Sequence, residues 1–349
     1  MMRNLAILFV LLLQIFAKES EVKIIMVGDV LIHSGLYKSA QAENGTYNFD
    51  FMFENVRDEI RSADLAIANQ ETIFVKNRDD YSGYPMFGSP VEVGVAEARA
   101  GFDIIAHATN HTIDKGETGI KDTLEFWKNY PNIAVLGIHG SSNARDLHYK
   151  VVNDIVISLV NYTYGLNGLE SRRKGKEYLV DLLSDSDINA TLHHAQKTSE
   201  IVIAILHIGE EYSTKPNKHT QETIDMFIDN GADIVFCAHP HVLQAYEVRT
   251  TPNGGVGVVY YSVGNFISAQ DEIDRVLGGM AKVVIKKAYN GEISISEHEL
   301  IPLVTHQENG RYTTYKLDDY SDELANKHRL KAKGLSLKKL NEIYEKIKK

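Results

Sequence analysis

The chain has 349 residues, of which 44% are hydrophobic and 24% are charged, and its formal net charge is −10. This composition is typical of a soluble globular protein rather than a disordered one. The acidic balance disfavours a general nucleic-acid-binding protein, which needs a basic face. Because Cys237 is the only cysteine, the chain can form no internal disulfide and no cysteine-rich zinc module. Any bound metal must therefore be held by imidazole, carboxylate and amide groups.

The N-terminus has the pattern of a secretory signal peptide. Arg3 precedes an uncharged apolar run of 12 residues (5–16), and Ala17 follows the run. A helix needs about 20 residues to span a bilayer comfortably, so the run is too short for that role. Its length and flanks match a signal h-region. We predict a signal peptide over residues 1–17 and an extracytoplasmic protein, periplasmic or at the cell surface; an uncleaved membrane anchor is the alternative.

Beyond the signal, short apolar segments alternate with helical patterns. Strands are predicted at residues 22–27, 65–68, 103–108, 132–136, 151–161, 200–206, 233–236 and 256–262. Helices are predicted over residues 116–130 and 220–230, and a further helix ends near residue 197. Asn153 and Asp154 are a possible hairpin turn, and residues 283–286 and 293–301 are predicted to form a closing antiparallel pair. The alternation predicts an α/β fold.

Polar residues of metal-binding types follow most of these strands. They are Asp29, Asn69, Glu71, Asn110, His111, His207, Glu211, Tyr212, His239, His241 and Asn265. Each cluster taken alone has an ordinary explanation as a turn, a helix cap or a buried histidine. Ligands of α/β sheets, however, bind beyond the carboxyl ends of the strands. The joint occurrence therefore favours one metal or anion site assembled from several loops.

The residue types suit a hydrolase that uses one or two divalent cations. Asp29 and Glu71 offer negative charge, Asn110 offers a neutral oxygen, and the ligand set of His207, His239 and His241 offers imidazole nitrogens. Such ligands fit Zn, Mn or Fe, and a pair of cations can activate a water molecule near neutral pH. His239 and His241 lie two residues apart, so on a strand end or in an extended turn they would point the same way. Cys237 beside them is expected to be an inert buried thiol.

Two further segments stand out. The polar loop over residues 74–90 is a candidate lid. The tail over residues 327–349 holds nine Lys or Arg against two Glu, and Leu337, Leu340, Ile343 and Ile347 share one helical face. We expect that face to pack on the domain; contact with an anionic surface, such as a membrane or a polymer, is the alternative.

Four segments resemble the CapA family of bacterial capsule-synthesis proteins, of the poly-γ-glutamate type. They read GFDIIAHATNH (101–111), HIGEEY (207–212), GADIVFCAHPHVLQ (231–244) and YSVGNFI (261–267). The resemblance extends from about residue 22 to about residue 268, and it links the chain to calcineurin-like metallophosphatases. It implies a four-layer α/β/β/α sandwich with the site at one edge. We place this domain at residues 18–305, followed by an extension over residues 306–349 with a basic amphipathic helix, for which contact with the capsule-synthesis machinery is an alternative role.

The resemblance also implies roles for the polar residues. Asp29, Asn110, His207, His239 and His241 would be metal ligands, with Glu71 as the bridging carboxylate. His111 would be the acid that protonates the leaving group. The residues expected to shape the pocket or orient the histidines are Asn69, Glu211, Tyr212 and Asn265.

The chain departs from the metallophosphatase pattern at one cation position. Leu31 stands where that pattern has histidine, His33 lies further along, and Asn69 with Glu71 replaces an aspartate. Two hypotheses remain. The chain is a metal-dependent hydrolase of a phosphoester or related bond, or it is a non-catalytic accessory factor that binds an anionic capsular polymer during assembly or export.

Overall fold

The structure is a computed structural model that describes residues 19–144, 147–185 and 187–348. The predicted signal peptide, residues 1–17, lies outside the described residues. Within the described ranges, the helices are too short or too polar to cross a membrane.

The helices and strands have the following bounds. The strands are β1 (Ser20–Val30), β2 (Leu65–Gln70), β3 (Phe74–Val75), β4 (Ser89–Pro90), β5 (Ile104–Ala106), β6 (Ala134–Leu136), β7 (His148–Val152), β8 (Ile155–Thr163), β9 (Ile201–His207), β10 (Ile234–Ala238), β11 (Tyr246–Thr250), β12 (Val256–Tyr260), β13 (Asn265–Ile267), β14 (Leu277–Lys287), β15 (Ile293–Glu308) and β16 (Arg311–Lys316). The helices are α1 (Ser34–Ser39), α2 (Arg57–Arg61), α3 (Glu92–Ala100), α4 (Gly116–Trp127), α5 (Ile188–Thr198), α6 (Lys218–Asp229), α7 (Asp322–Lys327) and α8 (Leu337–Ile347).

The longer strands form two sheets. The first has the order β16-β15-β14-β1-β2-β5-β6, and β13 pairs with the end of β1. The second has the order β11-β12-β10-β9-β8-β7. Neighbouring strands from β1 through β2 and β5 to β6 are parallel, as are β8, β9, β10 and β12. Their carboxyl ends therefore meet at one edge of each sheet.

Alternation along β1 shows how the sheets become layers. Ile24 and Met26 belong to a core formed by both sheets, whereas Ile25 and Val27 pack on the opposite face, as the two-residue repeat of a strand requires. Helices α3 and α4 cover that outer face of the first sheet, and α5 and α6 cover the outer face of the second. The predicted four-layer α/β/β/α sandwich is confirmed.

Most predicted elements are present, with shifted ends. Asn153 and Asp154 have φ values of 48° and 62°, the left-handed pair that a two-residue hairpin turn requires, so the hairpin between β7 and β8 is confirmed. The closing antiparallel pair is confirmed as β14 and β15. The sequence did not predict β11 or β16, and α4 ends at Trp127 instead of residue 130.

The C-terminal segment closes one side of the sandwich. The predicted domain limit at residue 305 falls inside β15, which continues to Glu308 and pairs with β16. Leu335, Leu340 and Tyr344 are buried in the core between the sheets. The apolar face of α8 thus packs on the domain, and its charged face remains exposed.

Candidate metal centre

The predicted ligands converge at the carboxyl-end edge of the two sheets. Strand register explains part of the convergence, because Asp29 on β1 lies opposite Asn69 on β2 and opposite Asn265 on β13. His207 ends β9, and its neighbour in register on β10 is Ala238, directly before His239. The predicted ligands are all buried: Asp29, Glu71, Asn110, His207, His239 and His241.

Asp29 joins both sheets at the centre of the site. Its Oδ1 accepts a hydrogen bond of 2.7 Å from the amide of Asn69, and its Oδ2 lies 3.0 Å from Nδ1 of His241. The backbone N–H of His239 lies 3.4 Å from the same Oδ2. The carboxylate is thus held by groups on β2 and on the loop after β10.

Glu71 is the least satisfied group of the site. It is 1% exposed, and neither carboxylate oxygen has a hydrogen-bond partner. Its Oε1 lies 3.7 Å from Nε2 of His241 and 4.0 Å from Nε2 of His207. Burial raises the pKa of Glu71 well above its usual value, although the charge of His241 opposes the shift. A buried carboxylate without partners is costly, and a cation between these groups would remove that cost.

The imidazoles have opposite electrostatic environments. Burial lowers the pKa of His207, and the neighbouring His239 lowers it further; burial also lowers the pKa of His239 to about 3. Burial opposes protonation of His241 as well, but the carboxylates of Glu71 and Asp29 outweigh it and raise its pKa to about 9. Neutral imidazoles are the form that binds a metal.

The His-Pro-His segment has a special backbone. His239 and His241 have φ values of 102° and 59°, in the left-handed region that residues other than glycine seldom occupy. The two histidines therefore lie in a turn that follows β10, rather than on the end of the strand itself. The two ring centroids lie 5.9 Å apart, and the His239 ring lies 4.9 Å from that of His207. Backbone strain of this kind concentrates at functional sites.

These groups fit one or two divalent cations. The ligand atoms of Asp29, Glu71 and His241 all lie within 4.8 Å of one another, and so do those of Glu211, His239 and His241. Buried acceptors of this site without a partner include both Glu71 oxygens, Asn69 Oδ1 and His239 Nδ1. Carboxylate oxygens with imidazole nitrogens suit Zn, Mn or Fe. His207 is held by Asn110, whose Oδ1 lies 3.0 Å from its Nε2.

Leu31 offers no ligand at the place where the metallophosphatase pattern has histidine. Its side chain is 2% exposed and apolar. The nearby His33 does not replace it: Nδ1 of His33 lies 3.2 Å from Leu31 O and 3.3 Å from the N–H of Ala269, and its ring packs edge-on against Phe87. His33 belongs to neither of the two candidate ligand groups.

His111 lies beside the centre, in a cleft. Its Nδ1 is 2.7 Å from Oδ2 of Asp114, its Nε2 is 3.5 Å from the amide of Asn167, and the ring of Phe87 packs edge-on against it at 4.6 Å. The cleft has a volume of about 410 Å³, and its lining includes Tyr84, Met86 and Glu211. The predicted lid loop carries Tyr84, Met86 and Phe87 to this position.

The remaining predicted residues surround the ligands. Asn265 Oδ1 lies 3.1 Å from Nδ1 of His241, and its amide donates to the carbonyl oxygens of His241 and Arg275. The Tyr212 ring lies 6.0 Å from that of His241, and Tyr212 is 38% exposed.

A model of the family described as bacterial capsule synthesis protein PGA_cap matches residues 23–270. The chain belongs to this family. The match covers the strands and loops that carry the candidate metal centre, and it confirms the predicted resemblance to CapA proteins.

Two relatives of this PGA_cap chain are CapA proteins of Bacillus. A capsule biosynthesis protein CapA from Bacillus anthracis is 25% identical over 252 residues, covering 70% of this chain and 59% of the relative. A PGA biosynthesis protein CapA from Bacillus subtilis strain 168 is 27% identical over 284 residues, covering 79% of this chain and 72% of the relative. The chain thus spans less than two thirds of the length of the first relative.

Solved structures share the fold of the PGA_cap chain. A Staphylococcus aureus protein provisionally described as a 5′-nucleotidase has a TM-score of 0.50 and 17% identity, with 81% of this chain and 54% of that chain covered. The NAD nucleotidase of Haemophilus influenzae has a TM-score of 0.50 and 15% identity, with 94% and 60% covered. These likenesses show the metallophosphatase-like fold.

The sequence did not indicate the residues whose hydrogen bonds position the predicted site residues. Asp114 could have been found from its place three residues after His111, within reach on one turn. Asn161 accepts from the N–H of Ala108 at 2.7 Å and donates to the carbonyl of Ile205 at 3.0 Å, so it fixes the loop before Asn110 against β9. No local pattern distinguishes Asn161 from any other polar residue in a strand.

Proposed function

We propose that this chain is a metal-dependent hydrolase of a phosphoester-type bond and that it acts outside the cytoplasm in the production of a capsular polymer. The observation that carries the proposal is Glu71, a buried carboxylate with two unpartnered oxygens, of which Oε1 lies 4.0 Å from Nε2 of His207 and 3.7 Å from Nε2 of His241. Asp29 completes one candidate ligand group with Glu71 and His241. A cation bound between these side chains would compensate for the buried carboxylate oxygens that have no hydrogen-bond partner.

The cation ligands divide between two positions. Asp29, Glu71 and His241 would hold one cation, and the second would lie near His239, with ligands from the set Glu71, Asn110, His207 and Glu211. When bound, divalent ions supply Lewis-acid stabilisation of a phosphoryl oxygen and lower the pKa of a water molecule.

The chain itself supplies the proton for the leaving group. His111 faces the cleft, and Asp114 accepts a hydrogen bond from its Nδ1 in the protonated ring. In that protonated ring the Nε2–H would donate to the leaving oxygen, in place of the 3.5 Å contact that Nε2 makes with the Asn167 amide, and this is general acid catalysis. Phe87 packs against the ring and shields one side of it from water. Asn167 lies at the same nitrogen and is placed to position the substrate.

The capsule role follows the relatives. Two Bacillus relatives are described as CapA proteins of capsule or PGA biosynthesis, and we extend that role to this chain. The signal-peptide pattern at residues 1–17 supports an extracytoplasmic location. The substrate is then an anionic polymer or a phosphoester-type compound of that process.

Metal binding by Glu71→Gln and Glu97→Gln tests the proposal. Glu97 on α3 is the matched control, because it is also fully buried with two unpartnered carboxylate oxygens but belongs to neither candidate ligand group. Wild type and both variants would be loaded in turn with Zn, Mn and Fe. Bound metal would be measured by elemental analysis. Activity would be measured as the hydrolysis of p-nitrophenyl phosphate and of bis(p-nitrophenyl) phosphate.

We expect the wild type and Glu97→Gln to bind metal and hydrolyse at least one ester. Glu71→Gln is expected to lose about tenfold or more in metal affinity, by analogy with the loss of other metal-site groups, and its hydrolysis is expected to fall with it. A wild type that takes up none of the three metals, or a Glu71→Gln variant that binds them as tightly as wild type, would sink the proposal.

The buried Leu31 favours a second candidate function. With no ligand at that position, the first cation position has fewer protein groups than the metallophosphatase pattern provides. An accessory factor would bind metal and an anionic polymer, but it would hydrolyse neither of the two p-nitrophenyl esters. Metal uptake together with no turnover, and polymer binding that Glu71→Gln abolishes, would support this function over hydrolysis.

A further inference from the structure

Arg275 has an unusual environment at the rim of the site. Of the arginines in residues 19–144, 147–185 and 187–348, each except Arg275 donates a side-chain hydrogen bond or forms an ion pair within the structure. The guanidinium of Arg275 instead lies 3.6 Å from the centroid of the Tyr212 ring. Its Nε is buried without a hydrogen-bond partner. A guanidinium has five N–H donors and remains charged, so an arrangement with no acceptor leaves its binding capacity unused.

The backbone of Arg275 is tied to the candidate metal centre. Its carbonyl oxygen accepts a hydrogen bond of 3.0 Å from the amide of Asn265. The other side-chain atom of Asn265, Oδ1, lies 3.1 Å from Nδ1 of His241. One asparagine therefore connects the arginine and a predicted metal ligand, which fixes the distance between them.

The Tyr212 ring is tied to the same ligands from the other side. The N–H of Tyr212 donates to the carbonyl oxygen of Pro240 at 2.8 Å, between the two histidines. Tyr212 has a φ of 66°, a left-handed conformation that costs free energy for a residue other than glycine. The preceding Glu211 belongs to the candidate ligand group with His239 and His241. The Arg275–Tyr212 pair (the arginine–tyrosine stack) therefore borders the candidate cation position.

Stacking prepares the guanidinium for binding. A ring under its face restricts the long side chain while leaving the N–H groups at its edge free. That edge matches two oxygens of a carboxylate or a phosphate, and such paired bonds are among the strongest hydrogen bonds in proteins. A side chain that is already held loses less entropy when the ligand binds.

We propose that Arg275, held by the arginine–tyrosine stack, binds an anionic group of the substrate next to the candidate metal centre. The group is a carboxylate or a phosphate, distinct from the one whose bond is cleaved. The inference rests on the proposed function, because it takes the cleft to be the place where substrate binds. It adds that the substrate carries at least two negative groups.

Binding of two anions to Arg275 variants tests this inference. Inorganic phosphate and a γ-linked glutamate trimer would be titrated calorimetrically into metal-loaded wild type, Arg275→Gln and Arg275→Lys. Arg311→Gln is the matched control, because Arg311 also lies over a ring, that of Phe51 at 4.2 Å, but pairs with Glu54 on the first sheet's edge. Metal content would be measured for every sample.

We expect Arg275→Gln to weaken binding of at least one anion by about tenfold, the loss of one charge-assisted bidentate contact. Arg275→Lys keeps the charge without the fork and is expected to lose less. Arg311→Gln should bind as wild type does. Loss with phosphate alone indicates a phosphate group on the substrate, and loss with the trimer alone indicates a carboxylate.

Steady-state kinetics separates this inference from the proposed function. Arg275→Gln is expected to leave kcat and KM for p-nitrophenyl phosphate within about twofold of wild type, with metal content unchanged, because the only anionic group of that ester is the one whose bond is cleaved. A chain without metal or turnover would overturn the proposed function, while anion binding that depends on Arg275 would still support this inference. If wild type binds neither anion, or Arg275→Gln binds both as tightly as wild type, Arg275 has no such role.

Discussion

At the scale of single residues, the Asp114 carboxylate connects the His111 ring to the backbone of Phe87. Asp114 Oδ2 lies 2.7 Å from its Nδ1, and the same oxygen accepts a 2.7 Å hydrogen bond from the N–H of Phe87. Asp114 is 3% exposed, so this contact is shielded from solvent. The carboxylate fixes which ring nitrogen carries a hydrogen towards it, and therefore which nitrogen faces the cleft.

Replacing Asp114 by asparagine tests this arrangement. Asp114→Asn keeps the shape but removes the carboxylate that lies 2.7 Å from His111 Nδ1 and orients the ring, so we expect kcat for p-nitrophenyl phosphate to fall by about 10- to 100-fold, at or below the lower end of the roughly 10²–10⁴-fold that general acid catalysis supplies. Metal content should stay at the wild-type level. Asp122→Asn is the control, because Asp122 also accepts a hydrogen bond from a backbone N–H, that of Lys76, on the outer surface. A kcat within about twofold of wild type would contradict the role given to His111.

Residue types at the site could be predicted, but their surroundings could not. Asp29, His207 and His241 were identified because metal-binding residue types follow apolar strands. The left-handed backbone at His241 follows from contacts between loops that are distant in the chain. The contact between Arg275 and the ring of Tyr212 could not be predicted either, because the sequence around each residue contains no pattern that indicates it.

At the scale of elements, close approach between β1 and the turn before β13 positions Asp29. The N–H of Asp29 donates to the carbonyl oxygen of Gly264 at 3.0 Å. The preceding residue, Gly28, has no room for a side chain, because a Cβ would lie 1.8 Å from that oxygen. Glycine is needed here for packing between backbones.

Gly28→Ala should therefore damage both stability and the site. The added methyl group must push Gly264 away, and overpacking of this kind costs about 3 kcal/mol. We expect the free energy of unfolding in urea to fall by about that amount, with weaker metal binding because Asp29 and Asn265 are displaced together. Gly140→Ala is the control, since the nearest atom to its Cβ would be Leu124 Cδ1 at 3.6 Å. Equal stability of Gly28→Ala and wild type would show that the turn at Gly264 can move at little cost in free energy.

Strand interiors could be predicted from the sequence better than strand ends. Apolar runs predicted β1, β9 and β10 because these strands are buried on both faces. The strand predicted at residues 103–108 is observed only as Ile104–Ala106, because the N–H of Ala108 is taken by the side chain of Asn161. An interaction of this range has no local signal, so strand limits depend on the completed fold.

At the scale of the whole molecule, the C-terminal tail is part of the core. The amphipathic face of α8 could be predicted from its spacing, but the surface it covers could not, because that surface exists only when both sheets are assembled. Tyr344 donates a hydrogen bond to the carbonyl oxygen of Leu300 on β15, and Leu340 is fully buried between the sheets. The packing of the tail therefore contributes to the stability of the sandwich.

His328 connects that tail to the first sheet and makes the connection sensitive to pH. It is 2% exposed. Its Nε2 lies 3.1 Å from the carbonyl oxygen of Thr305, and its Nδ1 accepts a 2.9 Å hydrogen bond from the N–H of Leu330. Both nitrogens are thus satisfied in the neutral ring, and a proton on Nδ1 would face the N–H of Leu330. Burial lowers the pKa of His328 from 6.5 to about 4, although the Thr305 contact opposes the shift.

The sign of the effect follows from the lowered pKa. Below the unfolded value of 6.5 the unfolded chain takes up a proton that the folded chain refuses until about pH 4, so this stability is complete above pH 6.5 and is lost as the pH falls towards 4. His328→Asn keeps an acceptor for Leu330 but cannot titrate. We expect the stability advantage of wild type over His328→Asn to shrink by about 2 kcal/mol between about pH 7.5 and about pH 5.

Urea unfolding at the two pH values measures this change. His219→Asn is the control, because His219 is exposed on α6, and its difference from wild type should be the same at both pH values. A constant difference for His328→Asn would mean that the pKa of His328 is the same in the folded and the unfolded chain, as expected for a ring that reaches solvent. The tail would then be held by contacts that do not depend on the charge of His328, such as its apolar face and the edge-on packing of the His328 ring against His306 on β15 at 5.3 Å.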